Sequence, residues 1–272
     1  MGREKDTQRG GLLGIKTAIS KDDLPLKYQG ISLVQTTDGV SDSVYLLEEK
    51  FVLKIFESPS LEIVENEKKL LQMTSTLKVP EIVDSFYIRE KPAVIYTQIA
   101  GQSVDKPQTD QIRQIGRFLK EFHSLTKTLK SSNTILFSKN RLETLIMDSG
   151  NDELLKHFKS INIELKEDGI IHGDLFCDNA KFQNGLLSGV YDFSEACNGD
   201  FIFDLGVTAV SWCFEGHSLH KEKLEVLRSS YGLDLEYDRF KEYIKYALLY
   251  YATTRYINNR DYKELLMKLE NL

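Results

Sequence analysis

The chain has 272 residues and a mass of 31.2 kDa, with 41% hydrophobic and 28% charged residues. This length suits one large domain or two lobes that share a cleft, and the composition excludes a disordered chain. A formal net charge of -6 argues against general attraction to nucleic acid or to anionic membranes. No apolar run approaches the roughly 20 residues that span a bilayer, and the three cysteines lack metal-binding spacing. We therefore expect a reduced, cytoplasmic protein that binds neither nucleic acid nor membranes, with its oligomeric state left open.

The first part of the chain has strand patterns around one helix. Residues 1–25 are polar and predict a tail or a lead-in to the first element. Helical spacing predicts one helix over residues 61–73. Short apolar runs bounded by turn residues predict five strands, at 31–34, 44–47, 51–56, 82–88 and 93–99. Residues 26–98 are therefore expected to form a lobe of strands with a single helix.

Beyond Gly101 the pattern is mainly helical, which predicts a second lobe over residues 99–272. An Asn184-Gly185 turn predicts a hairpin between two short strands, at 180–182 and 186–191. Spacings of three and four residues predict helices at 109–129, 142–158, 201–214, 219–231 and from 237 onward, with a break near residue 258. The fold class indicated is α+β.

The segment from His172 to Asn179 carries the motif with the clearest chemistry. His172, Asp174 and Asn179 follow the pattern H-x-D-x-x-x-x-N, and Asp192 lies thirteen residues after Asn179. Phosphoryl transfer needs one carboxylate for the proton of the attacking hydroxyl, and an amide and a second carboxylate for Mg²⁺. We therefore predict Asp174 as the catalytic base, and Asn179 and Asp192 as Mg²⁺ ligands. A capping role would explain one of these residues but not four that agree in type and spacing.

A lysine inside an apolar strand supplies a second part of such a site. Lys54 lies in the third predicted strand, the position from which a kinase lysine reaches the α- and β-phosphates of ATP. An acid on the next helix must hold that lysine, and Glu62, Glu65 and Glu67 are available. We favour Glu67 because two leucines follow it on a core-facing turn.

The loop before that strand is the expected nucleotide loop. Residues 37–43 contain a single glycine, which lets the backbone approach a phosphate, and Ser41 or Ser43 can donate a hydrogen bond. An ordinary hairpin turn explains this segment equally well. We also expect the backbone of Gln98 and Ile99 to contact the adenine edge of the nucleotide.

Acidic residues near the motif have two expected roles. Asp204 opens a predicted helix, where it either caps the helix or accepts hydrogen bonds from the backbone of residues 171–179, the predicted catalytic loop. His172 is expected to support the same loop. Glu195 and Asp200 follow Asp192 closely enough that either could meet a substrate ammonium group.

Three other features are expected to be structural. His123 ends a helical pattern, and Cys177 has no neighbouring base to make it a nucleophile. The tyrosines at 243, 246, 250 and 251 are interpreted as helix packing.

Together these residues resemble the aminoglycoside phosphotransferase and choline kinase-like family over roughly residues 28–260. The motif at 172–179, Asp192-Phe193 and Asp204-Leu205 carry the resemblance, and residues 64–68 and 79–80 also resemble the aminoglycoside enzymes. Residues 187–193, 196–200 and 212–214 are similar to the homoserine kinase branch.

The resemblance implies a bilobal protein-kinase-like fold, with an antiparallel sheet and one helix in the N-terminal lobe. It also implies ATP and Mg²⁺ as cofactors and a small, amine-bearing alcohol as acceptor. Homoserine is the first expectation, and an aminoglycoside or a choline-like alcohol is the alternative.

Two further alternatives use the same fold. A protein kinase is disfavoured because Gly173 replaces the usual Arg, Ser194 replaces the glycine of D-F-G, and no A-P-E motif follows. Only eleven residues separate Asp192 from Asp204, which is short for a peptide-docking segment. A catalytically inactive nucleotide-binding fold is disfavoured by the intact lysine, base and metal ligands.

Overall fold

The computed structural model describes residues 15–36, 42–57, 61–133 and 135–272. These residues form two compact units. The first comprises the described residues within 1–59 together with Ile82–Gln98, and the second those within 60–81 together with Ile99–Leu272. Within the described ranges, no helix is both long enough and apolar enough to cross a membrane.

The first unit is built on a five-stranded antiparallel sheet, in the order β1-β2-β3-β5-β4. Its strands are β1 (Leu33–Gln35), β2 (Ser43–Leu47), β3 (Phe51–Ile55), β4 (Ile82–Ile88) and β5 (Lys91–Thr97). Side chains of β2 alternate between buried and half-exposed, as expected for a strand with one face on the core. The five predicted strands are thus confirmed, each within two residues at either end.

The core of this unit also includes the chain that precedes the sheet. Leu47, Leu53 and Ile95 are fully buried, and Leu24 packs with them at 3% exposure. Ile15 and Ile19 lie against the same cluster. The described part of the predicted tail or lead-in, residues 15–25, is therefore part of the packed unit because its apolar side chains cover the sheet.

The second unit is mainly helical. Its helices are α1 (Leu61–Met73), α2 (Thr109–Thr126), α3 (Lys139–Ser149), α4 (Asp152–Ser160), α5 (Phe201–Trp212), α6 (Lys221–Tyr231), α7 (Tyr237–Ile257) and α8 (Lys263–Glu270). Helix α5 is apolar on nearly all sides and packs on α7, with Trp212, Phe203 and Tyr246 buried. A helix that is apolar all round belongs in a core, so α5 forms the centre of the unit.

Three short antiparallel pairs complete the second unit. They are β6 (Gly169–Ile171) with β9 (Cys197–Gly199), β7 (Ala180–Gln183) with β8 (Leu186–Val190), and β10 (Phe214–Glu215) with β11 (Ser218–Leu219). The predicted turn joins β7 to β8, and both Asn184 and Gly185 have the positive φ that such a turn requires. The β10-β11 hairpin corrects the sequence prediction, which placed Phe214 and Leu219 at the ends of two helices.

Candidate active site

The predicted catalytic loop follows β6, and its backbone is hydrogen-bonded to the buried carboxylate of Asp204. His172 N donates to Asp204 Oδ2 at 2.9 Å, and Gly173 N donates to Oδ1 at 2.8 Å. The ring of His123 donates to Oδ2 at 2.9 Å. Burial raises the pKa of Asp204, but these hydrogen bonds and the nearby histidines outweigh it and hold the pKa below its usual value. Asp204 is therefore an ionised anchor under the loop.

His172 fixes the backbone at Asp174, the predicted base. Its Nδ1 accepts from the backbone N–H of Asp174 at 3.2 Å, so the ring proton lies on Nε2. That proton points to the carbonyl oxygen of Tyr191 at 3.3 Å. Burial lowers the pKa of His172, which keeps the ring neutral in this arrangement. The ring thus joins the loop to the residue before Asp192.

Asp174, Asn179 and Asp192 are brought together by one hairpin. Asn179 Nδ2 donates to the carbonyl oxygen of Asp174 at 2.7 Å and to its Oδ2 at 3.0 Å. After β7 and β8, Tyr191 N donates to Asn179 O at 3.0 Å, which returns the chain beside the loop. Asp192 has a φ of 64°, and Ser194 Oγ donates to its Oδ1 at 2.6 Å. The spacing in the sequence therefore becomes a cluster in space.

The electrostatics of this cluster favour a cation. Burial raises the pKa of Asp174 well above its usual value, and the negative charges of Asp192, Glu195 and Asp178 raise it further. Within the described residues, no three His, Cys, Asp or Glu side chains form a metal-binding group. A pair of oxygen ligands such as Asn179 and Asp192 still fits Mg²⁺, which completes its shell with water and phosphate oxygens.

Lys54 belongs to the first unit and Glu67 to the second. Lys54 Nζ lies 3.6 Å from Asp42 Oδ2 and 4.8 Å from the ring centre of Phe56, with 11% of its side chain exposed. Glu67 is buried on α1 at 4% exposure. Both side chains are buried, which is unusual for charged groups and is consistent with a functional role. Their pairing stays a prediction.

The structure describes only some of the residues that we predicted to contact the nucleotide. Ser41 lies outside the described residues. Gln98 N donates to Lys50 O at 2.8 Å, next to the end of the β3-β5 pair, so its N–H is already bonded and only its carbonyl is left for a nucleotide base. Ile99 is half-buried. The adenine contact of these two residues stays a prediction.

Asp200 and Glu195 differ sharply in their surroundings. Asp200 caps α5, because its Oδ1 accepts from the backbone of Ile202 at 2.7 Å and of Phe203 at 3.0 Å. Its Oδ2 accepts from Lys166 N at 2.9 Å, and the residue is 2% exposed. This full set of partners argues against the predicted contact of Asp200 with a substrate. Glu195 is exposed and close enough to raise the pKa of Asp174.

Tyr251 is a site residue that the sequence interpretation missed. Its hydroxyl donates to the carbonyl oxygen of Gly173, and its ring meets Phe176 edge-on with centroids 4.8 Å apart. Burial and the charge of Asp174 raise the pKa of Tyr251 well above its usual value, so the hydroxyl stays protonated. The sequence offered no signal, since Tyr251 stands in a run of tyrosines whose other members pack in the core.

Cys177 and His123 have the structural roles that we expected. Burial raises the pKa of the Cys177 thiol to about 11, which leaves it without thiolate character at neutral pH. His123 links Asp204 to the hydroxyl of Tyr231, with a ring nitrogen 2.8 Å from that oxygen. Both residues therefore serve the loop's framework.

Known proteins resemble this chain over most of its length. Residues 32–242 match the family model described as "Phosphotransferase enzyme family". A homoserine kinase of Bartonella tribocorum is 30% identical over 85% of this chain and 80% of its own length. The homoserine kinase of Bartonella henselae is 31% identical over 76% of this chain and 71% of its own.

Solved structures of low sequence identity share the fold. The GDP and kanamycin complex of APH(2")-IIIa has a TM-score of 0.66 at 18% identity, covering 88% of this chain and 91% of its own. A macrolide 2'-phosphotransferase from Brachybacterium faecium has a TM-score of 0.61 at 16% identity, covering 89% and 92%. The expected kinase-like fold is thereby confirmed.

Proposed function

The chain belongs to the phosphotransferase enzyme family and is a small-molecule kinase, and we propose that it phosphorylates the hydroxyl of homoserine or a similar amino alcohol with ATP and Mg²⁺. The observation that carries the choice of acceptor is the 30% identity to a homoserine kinase across 85% of the chain. The acidic surroundings of Asp174 support it, since the charges of Glu195 and Asp178 suit an acceptor with an ammonium group.

In this proposal Asp174 orients the acceptor hydroxyl and takes its proton. Phosphoryl transfer has a loose transition state, so the base receives the proton late and positioning matters most. The raised pKa of Asp174 suits that role, because a stronger base holds the proton better once the new bond has formed. The hydrogen bond from Asn179 Nδ2 holds the carboxylate in place.

The remaining residues would hold the nucleotide. Bound Mg-ATP supplies the phosphoryl group and neutralises charge on the phosphates. Asn179 and Asp192 would ligate the metal ion, and Lys54, braced by Glu67, would bind the phosphate oxygens. Glu195 is the proposed partner of the acceptor's ammonium group.

Aminoglycosides are a weaker choice of acceptor. The aminoglycoside phosphotransferases that share the fold are 11–19% identical to this chain, which speaks for the fold alone. The homoserine kinases are nearer in sequence over most of the chain.

The test is coupled ADP release from Mg-ATP with homoserine, 3-aminopropanol, choline, kanamycin and simple sugars. We expect turnover with homoserine in the wild type. We expect Asp174→Asn to bind Mg-ATP normally but to lose about 10²–10⁴-fold in kcat, the usual contribution of a positioned base. If kanamycin alone were phosphorylated, an aminoglycoside would be the acceptor in place of homoserine. If the protein bound Mg-ATP but phosphorylated none of the alcohols, the catalytically inactive nucleotide-binding fold would be favoured.

A further inference from the structure

A half-buried arginine lies on the face of α7 that reaches the catalytic loop. Arg255 follows Tyr251 by four residues, so both side chains lie on the same face of the helix. Tyr251 donates to Gly173 O, and its ring meets Phe176 of the loop. This face of α7 therefore borders the loop that carries Asp174.

Within the described parts of the chain, the guanidinium of Arg255 makes no ion pair closer than 4.0 Å. Two acids act on it at longer range. Glu264 already pairs with Lys268 at 2.9 Å. The other acid is Asp178, which belongs to the loop itself. A guanidinium can bind a carboxylate through two parallel hydrogen bonds, and no carboxylate of the described residues lies close enough to Arg255 to do so.

We propose that Arg255 binds the carboxylate of an amino-acid acceptor while its hydroxyl lies at Asp174. This inference rests on the proposed function and narrows it, since it makes the acceptor an α-amino acid rather than a simple amino alcohol. Glu195 and Arg255 then provide opposite charges for the ammonium and carboxylate groups. An acceptor that carries both groups gains two contacts, whereas an aminoglycoside or choline lacks the carboxylate and gains one at most.

The experiment compares homoserine with homoserinamide, which has the same size but a neutral carboxamide in place of the carboxylate. In Arg255→Gln we expect KM for homoserine to rise on the order of 10- to 100-fold, the effect of one lost charge-assisted contact, with little change in kcat. The kcat/KM for homoserinamide should stay within about twofold of the wild-type value. Arg255→Lys should recover part of the homoserine efficiency, because it keeps the charge but not the fork.

Arg260→Gln is the matched control, since Arg260 is exposed just beyond the end of α7 and should leave both substrates unaffected. An unchanged KM for homoserine in Arg255→Gln would overturn the inference. An equal loss on both substrates would also overturn it, because Arg255 would then act on the fold. A wild type that turns over homoserinamide but not homoserine would overturn it too. A wild type without turnover on either compound would instead refute the proposed function.

Discussion

At the scale of single residues, the catalytic loop depends on one carboxylate below it. Asp204 accepts from the backbone of His172 and Gly173 and from the ring of His123, and it is fully buried. A buried carboxylate with three donors stabilises the backbone around it, because each donor would lose its partner if the carboxylate were removed.

Asp204→Ala is therefore expected to lower the free energy of unfolding by about 3 kcal/mol or more, since it leaves several buried donors without acceptors. Urea unfolding measures this directly. Asp110→Ala is the control, because the side chain of Asp110 is 82% exposed and its removal should change stability by less than about 0.5 kcal/mol. Similar losses for the two variants would contradict the anchoring role.

At the scale of secondary structure, a chain of amides ties α1 to the segment after Asp192. Asn66 Nδ2 of α1 donates to Asn133 Oδ1 at 2.6 Å, and Asn133 Nδ2 donates to the carbonyl of Ala196 at 2.9 Å. Glu67 is the next residue of α1. These bonds connect α1 to the loop at 131–133, and both belong to the second unit.

Asn133→Ala should loosen α1 without unfolding the unit. We expect a loss of about 1–2 kcal/mol in stability, the contribution of the lost hydrogen bonds. Amide hydrogen exchange should become faster along α1, while the amides of α5 keep their protection. Asn140→Ala, at an exposed position in α3, is the matched control and should change neither. Unaltered exchange in α1 would show that other contacts position the helix.

At the scale of the whole molecule, the fold tolerates large changes in sequence, as TM-scores of 0.61–0.66 at 16–18% identity illustrate. Each unit needs its own internal ties. In the first unit, the Glu57 carboxylate joins three parts of the chain. It accepts from Thr17 Oγ1 at 2.9 Å and from Ser43 Oγ of β2, and it pairs with Lys91 of β5.

This carboxylate predicts a dependence of stability on pH. Burial raises the pKa of Glu57, but the bonds from Lys91, Ser43 and Thr17 prevail and hold it below the reference value of 4.5. A group whose pKa is lower in the folded state stabilises the protein above the unfolded pKa, and this contribution is lost as pH falls through the folded pKa.

Glu57→Gln should therefore destabilise the protein at neutral pH and flatten the loss of stability below about pH 4.5. Urea unfolding followed at several pH values measures both effects. Glu48→Gln, on the exposed turn between β2 and β3, is the control and should keep the wild-type profile. A Glu57→Gln profile parallel to that of the wild type would contradict the prediction.

The sequence by itself determined most of the elements and predicts the chemistry of the loop. Helix α1 has the predicted bounds because its apolar spacing is local, and the β7-β8 hairpin follows from one Asn-Gly turn. Asp174, Asn179 and Asp192 could be recognised together because a short loop and a tight hairpin bring them close, so their spacing along the chain encodes their spacing in space.

Only the tertiary structure decided the roles of residues whose partners are distant in sequence. Glu195 and Asp200 are both acids that closely follow Asp192 in the sequence. In the structure Glu195 is exposed near Asp174, whereas Asp200 is buried and caps α5. Tyr251 meets Gly173 across 78 residues, a contact that exists only once α7 has packed on the core. The physical reason is that burial and hydrogen-bond partners depend on packing between elements, which local spacing does not specify.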